Sequence, residues 1–232
     1  MSLIADQLAM VRRRMAAACE RAGREVASVR LVAVSKHQPA AAVGEALAAG
    51  QTLFGENYVQ EAREKISQIA GTGGSGAGWH LIGPLQRNKA KEAARLFDMV
   101  ESLDALPLAE ELSRRRLEFL ATPLPVLMQI NIGNEPQKAG FSPEEAAAAA
   151  LHIAGLPGLR LRGLMAIPPF TPTAEEARPY FRALRRLAEA LRETTGMPLE
   201  ELSMGMSQDY EIALEEGATL VRVGSAIFGS RG

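Results

Sequence analysis

The chain has 232 residues, of which 47% are hydrophobic and 23% are charged, and its formal net charge is −1. This is an ordinary globular composition, and the near-neutral charge argues against a nucleic-acid partner. Its single cysteine, Cys19, excludes an intrachain disulfide and fits a reducing compartment. No apolar stretch approaches the roughly 18 residues of a membrane span, and the N-terminal segment lacks a signal-peptide pattern. We therefore expect a cytoplasmic protein without membrane association.

Apolar periodicity divides the chain into a leading helix and a series of strand–helix units. Ile4, Leu8, Val11 and Met15 recur at steps of four and three, which predicts a helix within residues 1–24. Short apolar runs then predict eight strands, over 31–34, 52–54, 79–82, 99–101, 125–132, 159–164, 201–203 and 219–223. Helices are predicted between them, over 39–49, 58–69, 87–97 and 208–216, with three more starting at caps.

The three cap signals lie after the fourth, fifth and sixth predicted strands. Asp104 is the expected N-cap of the first of these helices. Ser142 and Glu145, with a proline between them, form a capping-box pattern for the second. Thr173 and Glu176 repeat the spacing before a helix that reaches about residue 193. Pro179 falls inside that helix, so the helix either kinks there or starts later.

Strict alternation of strands and helices predicts a parallel sheet. Eight such units in a chain of this length favour a closed (β/α)₈ TIM-type barrel, with residues 1–232 forming a single α/β domain. An open doubly wound sheet is the alternative. It is weakened because no G-x-G-x-x-G motif follows the first strand.

Barrels of this kind carry their functional site at the carboxyl ends of the strands, so Lys36, directly after the first strand, is a candidate reactive group. Partial burial would lower the pKa of its amine and let it form a Schiff base with an aldehyde. The alternative is an ordinary surface lysine.

The loops after strands seven and eight are where such barrels often bind phosphate. They contain Ser207, Gly224 and Ser225, which combine hydroxyl donors with a closely approachable backbone before a helix start. Helix capping by the two serines is the alternative for either loop alone. The two loops together favour a phosphate site. Asp209 would repel a phosphate unless its carboxylate points away.

Arg222 interrupts the otherwise apolar eighth strand. A buried guanidinium needs a partner. That partner is either an internal salt bridge or a ring nitrogen of a bound cofactor.

Several segments together resemble the pyridoxal phosphate homeostasis proteins, whose fold is similar to the N-terminal barrel of alanine racemases. The segments are LVAVSKHQP, FGENYVQEAREK, WHLIGPLQRNK, GLMAIPP, LSMGMSQDYEIAL and VRVGSAIFGSR. The resemblance implies that Lys36 carries pyridoxal 5'-phosphate (PLP) as an aldimine. It implies that Arg222 faces the pyridine nitrogen. The other implied cofactor-binding residues are Asn57, His80, Met165, Ser203, Ser207, Gly224 and Ser225. Lys138 matches a recurring basic position to which the resemblance assigns no role.

The same resemblance implies a PLP carrier without turnover. Alanine racemases add a second domain that supplies a tyrosine base, and Tyr58, Tyr180 and Tyr210 of this chain do not match that base. A guanidinium beside the ring cannot act as the proton-holding partner that most PLP enzymes use. We expect PLP storage, buffering or transfer, in a monomer that supplies apo-enzymes, with no catalytic residue and no metal. The alternatives are a minimal racemase and a sugar-phosphate barrel enzyme in which Lys36 forms the Schiff base.

Overall fold

The computed structural model describes residues 2–71 and 76–229, and its strands form a closed parallel barrel. Neighbours in sequence pair around the ring, and the last strand pairs with the first. The strands are β1 (Arg30–Val34), β2 (Leu53–Glu56), β3 (Gly78–Leu81), β4 (Met99–Leu103), β5 (Leu124–Ile130), β6 (Leu159–Ala166), β7 (Glu201–Ser203) and β8 (Leu220–Val223). The (β/α)₈ prediction is confirmed, and the open-sheet alternative is wrong.

Helices surround this ring. They are α1 (Leu3–Arg21), α2 (Ala40–Ala48), α3 (Val59–Gly71), α4 (Ala90–Leu96), α5 (Leu106–Leu117), α6 (Ala146–Ala154), α7 (Arg178–Thr195), α8 (Tyr210–Glu215) and α9 (Ser225–Phe228). The leading helix α1 packs against α2, α8 and α9, beside the junction of the first and last strands. Within the two described ranges, no helix combines the length and apolarity that crossing a bilayer requires.

Two of the predicted N-caps, Asp104 and Thr173, do not cap the helices that follow them. Asp104 is not the N-cap of α5, because the helix begins one residue later and Ala105 takes that position. The hydroxyl of Thr173 donates to the side chain of Glu176 and does not cap α7, which starts at Arg178. Pro179 therefore lies in the first turn, where its missing N–H breaks no helical hydrogen bond.

The capping box at Ser142 is confirmed. The backbone N–H of Glu145 donates to Ser142 Oγ at 3.2 Å, and the N–H of Ser142 donates to Glu145 Oε2 at 3.1 Å. The helix α6 itself begins at Ala146, and its N-cap is Glu145 and not the predicted Ser142. The two reciprocal bonds satisfy backbone donors that the start of the helical segment leaves unpaired.

We expect Ser142→Ala to lower the free energy of unfolding by about 1 kcal/mol, because one of these donors loses its acceptor. Urea denaturation measures the change. Ser67→Ala, on the exposed surface of α3, is the matched control and should change stability by less than about 0.5 kcal/mol. Equal effects of the two substitutions would contradict the prediction.

The barrel interior changes from apolar to polar along the strands. Five buried side chains form an apolar layer inside the ring, namely Val32, Met99, Leu127, Met165 and Leu220. Alternate residues of a strand point to the same face. Two residues beyond Met99 and Leu220, nearer the carboxyl ends, the inward positions are therefore occupied by Glu101 and Arg222. This polar layer lies directly beneath the mouth of the barrel.

Candidate site at the mouth of the barrel

A cavity of about 330 Å³ opens at the carboxyl ends of the strands. Its volume is within the range of about 300–1,000 Å³ that small-molecule sites occupy. Six of the nine predicted site residues line it, namely Lys36, Asn57, Ser207, Arg222, Gly224 and Ser225. Residues that the sequence did not single out complete the wall, including Val34, Gln38, Ile82, Ile167, Met206 and Gln208. The predicted convergence of strand ends is thus present in the structure.

Lys36 lies in the turn that follows β1 and is partly buried. Its neighbour Ser35 is fully buried and donates its backbone N–H to Gly55 O at 3.0 Å. On the other side, His37 has a φ of 61°, which a non-glycine residue seldom adopts. The segment that carries Lys36 is therefore fixed at one end by the sheet and turned sharply at the other.

The loops after β7 and β8 form another part of the cavity wall, and Ser207 joins them. Its Oγ accepts hydrogen bonds from the backbone N–H groups of Gly224, at 3.2 Å, and Ala226, at 3.4 Å. The N-caps of α8 and α9 are Asp209 and Gly224, so the serines do not cap their own helices as the alternative required. Ser207 instead binds the start of α9 from a different loop. Ser225 is exposed at the rim.

Gly224 and Gly205 lie where a side chain would come too close to neighbouring atoms. A Cβ at Gly224 would lie 3.2 Å from both Cβ and O of Val34. Gly205 has a φ of 88°, and a Cβ there would lie 2.5 Å from Cβ of Ala213. The loops after β7 and β8 therefore pack closely on α8 and β1, and of these two glycines Gly224 lines the cavity.

Arg222 lies at the floor of the cavity and is only 3% exposed. Its Nη1 donates to Ser203 Oγ at 2.6 Å and its Nη2 to Ala166 O at 2.9 Å. Burial lowers the pKa of this guanidinium, and the charges of Glu101 and Asp209 oppose that effect only in part. Among the described residues, the guanidinium therefore has neutral hydrogen-bond partners and no direct salt bridge, and it also lines the cavity.

A buried hydrogen-bonded chain continues from Arg222 into the barrel. Ser203 donates its hydroxyl to Glu101 Oε2, and Glu101 Oε1 lies 2.6 Å from Nδ1 of His80. Burial alone would raise the pKa of Glu101. The hydrogen bond and charge of His80, the charge of Arg222 and the bond from Ser203 outweigh burial and hold that pKa below its usual value.

Three predicted site residues therefore do not line the cavity. His80 and Ser203 lie in the polar layer beneath it, where they hold Arg222 in place through Glu101. Met165 is fully buried in the apolar layer one step further down. Glu101 was not predicted as a site residue, although it lies two residues after Met99 and so shares its face of the strand.

We expect Glu101→Gln to cost roughly 3–5 kcal/mol at neutral pH, because it breaks a buried charge network. The lowered pKa means that the unfolded chain binds more protons between the folded value and the ordinary value of about 4.3. The contribution of Glu101 is thus present above that window and is lost as pH falls through the folded pKa. Urea denaturation between pH 7 and pH 3 should show the stability difference between wild type and variant shrinking on acidification.

Glu144→Gln removes an exposed carboxylate and is the control for the loss of one negative charge. A difference between wild type and Glu101→Gln that stays constant across this pH range would contradict the prediction.

Asp209 also lines the cavity. Its Oδ1 accepts the backbone N–H of Met206 at 2.6 Å. Burial raises its pKa, against the opposing effects of that hydrogen bond and of the charge of Arg222. The raised pKa reduces the cost of placing this carboxyl beside an anion.

Lys138 belongs to a neighbouring cavity that shares part of its wall with the first. Its amine pairs with Glu135 and donates to Pro168 O at 3.1 Å. These contacts place the residue at the rim, away from Lys36. Among residues 2–71 and 76–229, no cluster of three or more histidine, cysteine or acidic side chains has the geometry to hold a metal ion.

Comparison with known proteins identifies the family. The alanine racemase N-terminal domain family matches residues 7–232. A pyridoxal phosphate homeostasis protein of Pseudomonas aeruginosa is 48% identical over 231 residues, which cover 100% of this chain and 97% of the relative. The chain belongs to the pyridoxal phosphate homeostasis protein family. A member from Escherichia coli K12 is 46% identical over 233 residues, covering 100% of this chain and 98% of that protein.

Solved structures agree with this family assignment. PipY of Synechococcus elongatus, determined with PLP bound, superposes with a TM-score of 0.85 and is 40% identical, covering 97% of this chain and 100% of PipY. An alanine racemase of Corynebacterium glutamicum has a TM-score of 0.68 at 18% identity. This chain spans 60% of that enzyme, and the likeness shows a shared barrel fold only.

Proposed function

We propose that this chain binds PLP in the mouth cavity and stores, buffers or transfers it without catalytic turnover. One observation carries the proposal: Lys36 and the two serine–glycine loops, which come from distant parts of the chain, line the same cavity. Membership of the homeostasis family and the PLP-bound PipY relative support the choice of ligand.

The residues present fit the chemistry of PLP. Lys36 offers a primary amine for the aldehyde. Ser207, Gly224 and Ser225 offer hydroxyl and backbone N–H donors for the phosphate, and the missing Cβ at Gly224 permits a close approach. Arg222 and Asn57 line the same cavity and are proposed to contact the ring. We propose that His80 and Ser203 hold Arg222 in place beneath the cavity. Met165 is proposed to fill the apolar layer of the barrel interior.

Bound PLP supplies an aldehyde that condenses with a primary amine and releases water, so we propose a Schiff base to Lys36. Turnover would require more of the protein. Arg222 donates hydrogen bonds but accepts no proton, so it cannot keep a ring nitrogen protonated as an electron sink needs. No tyrosine lines the cavity within the described part of the chain. Among the described lining residues, no tyrosine is thus available as a second base beside Lys36, which supports the proposal of a carrier.

The absorbance spectrum of the purified protein tests this proposal, before and after borohydride. A carrier should be yellow, should keep its cofactor on Lys36 after reduction, and should not racemise alanine. Rapid racemisation that depends on Lys36 would favour the minimal racemase. A protein that stays colourless with added PLP would overturn the proposal and favour a sugar-phosphate enzyme.

We further propose that the carrier is a cytoplasmic monomer that supplies PLP to apo-enzymes. Its buried Cys19 is compatible with a reducing compartment. Size-exclusion chromatography with light scattering tests the monomer, and a mass near 50 kDa, about twice the 24.9 kDa of the chain, would contradict it. Mixing the yellow protein with a PLP-free apo-enzyme and following recovery of activity tests transfer.

A further inference from the structure

A buried ion cluster lies beneath the turn that carries Lys36. Lys65 of α3 is 4% exposed and Glu56 of β2 is fully buried. Lys65 Nζ lies 2.5 Å from Glu56 Oε1 and 3.0 Å from Glu61 Oε1, and it donates to Ser35 O at 2.6 Å. Three acceptors use the three ammonium donors of this lysine.

The contacts of this cluster bracket Lys36 on both sides. Before it, Ser35 accepts from Lys65 through its carbonyl and donates its hydroxyl to Glu56 Oε1 at 2.7 Å. After it, the backbone N–H of His37 donates to Glu61 Oε1. His37 is the residue with the left-handed φ of 61°. Such a conformation persists only where surrounding contacts hold it.

Stability alone does not account for the cluster. Lysine is almost never fully buried, and an apolar side chain in place of a buried ion pair is often equally stable or more stable. Position 65 lies on the buried face of α3, three residues after Ala62 and four before Ile69, where an apolar residue would pack. Glu56 Oε2 is buried without a hydrogen-bond partner among the described residues. The arrangement carries a desolvation cost, and its hydrogen bonds to Ser35 and His37 indicate a role in fixing this segment.

We propose that Lys65, together with Glu56 and Glu61, is a positioning residue that fixes the backbone on both sides of Lys36. This inference rests on the proposed function. In the condensation, the Lys36 nitrogen bonds to the aldehyde carbon and the aldehyde oxygen leaves as water. The loops after β7 and β8, the proposed phosphate wall, would hold the other end of the ligand. The amine of Lys36 must therefore lie at one position relative to that wall. Displacements of about 1 Å are enough to disrupt such a reaction.

Comparing the affinities of two ligands distinguishes an effect on the position of Lys36 from a general effect on folding. PLP can condense with Lys36, whereas pyridoxine 5'-phosphate carries a hydroxymethyl group in place of the aldehyde and binds only non-covalently. The variants are Lys65→Met and the double substitution Lys65→Met with Glu56→Gln. The double variant avoids a buried unpaired carboxylate and is used if the single variant does not fold. Lys91→Met, on the exposed face of α4, is the matched control.

For the Lys65 variants we expect PLP affinity to fall roughly tenfold or more, because the amine is misplaced, while pyridoxine 5'-phosphate affinity stays within about twofold. Borohydride should fix less cofactor at equal occupancy. If wild type forms the adduct, equal losses of affinity for both ligands, or no loss for either, would overturn the inference. Wild type that forms no borohydride-fixed adduct would overturn the proposed function itself.

Discussion

Lys36→Ala is expected to abolish the Schiff-base absorbance band and all borohydride-fixed cofactor. The substitution removes the only proposed amine partner of the aldehyde and leaves the phosphate wall intact. PLP should still bind, but as a free aldehyde that dialysis removes. Absorbance spectra, and mass spectrometry after reduction, measure the result directly.

Lys91→Ala removes an exposed lysine on α4 and should leave both signals at the wild-type level. An undiminished adduct in Lys36→Ala would show that another lysine carries the cofactor, with Lys138 in the neighbouring cavity as the first to examine.

The second large effect is expected from the combined substitution Ser207→Ala and Ser225→Ala. Hydrogen bonds to a charged group contribute about 1.5–3 kcal/mol each, so losing even one of them weakens PLP binding roughly 10- to 100-fold. Pyridoxal, which lacks the phosphate, should lose little affinity. Titrations followed by absorbance compare the two ligands on wild type and variant.

Ser207 also joins two loops, so the thermal midpoint of each variant must be measured beside its affinity. Ser67→Ala is the control for a serine outside the cavity. Equal weakening of PLP and pyridoxal would assign the serines to loop structure and not to the phosphate.

Sequence reasoning succeeded where a local signal controls the structure. Buried parallel strands read as short apolar runs, so the number and order of strands could be predicted. A lysine directly after such a run, as at Lys36, must emerge at the carboxyl end. The box formed by Ser142 and Glu145 depends on four consecutive residues and was equally readable.

Contacts between residues that are distant in sequence could not be predicted in this way. His80, Ser203 and Arg222 lie far apart in sequence, and only the closed ring shows that Glu101 joins them beneath the cavity. Lys65 was not singled out from the sequence, and its partner Glu56 lies on a different element. Its spacing from Ala62 and Ile69 placed it on the buried face of its helix, and that signal was available.

The pairing of β1 with β8 has a consequence for the order in which the site is made. Lys36 and Asn57 follow the first two strands, whereas Ser207, Arg222 and Gly224 belong to the last two. The two halves of the binding surface meet only along this seam, so the cavity does not exist until the ring has shut. A ligand that contacts both sides of the seam binds only the closed barrel, so it should stabilise the folded state and slow unfolding.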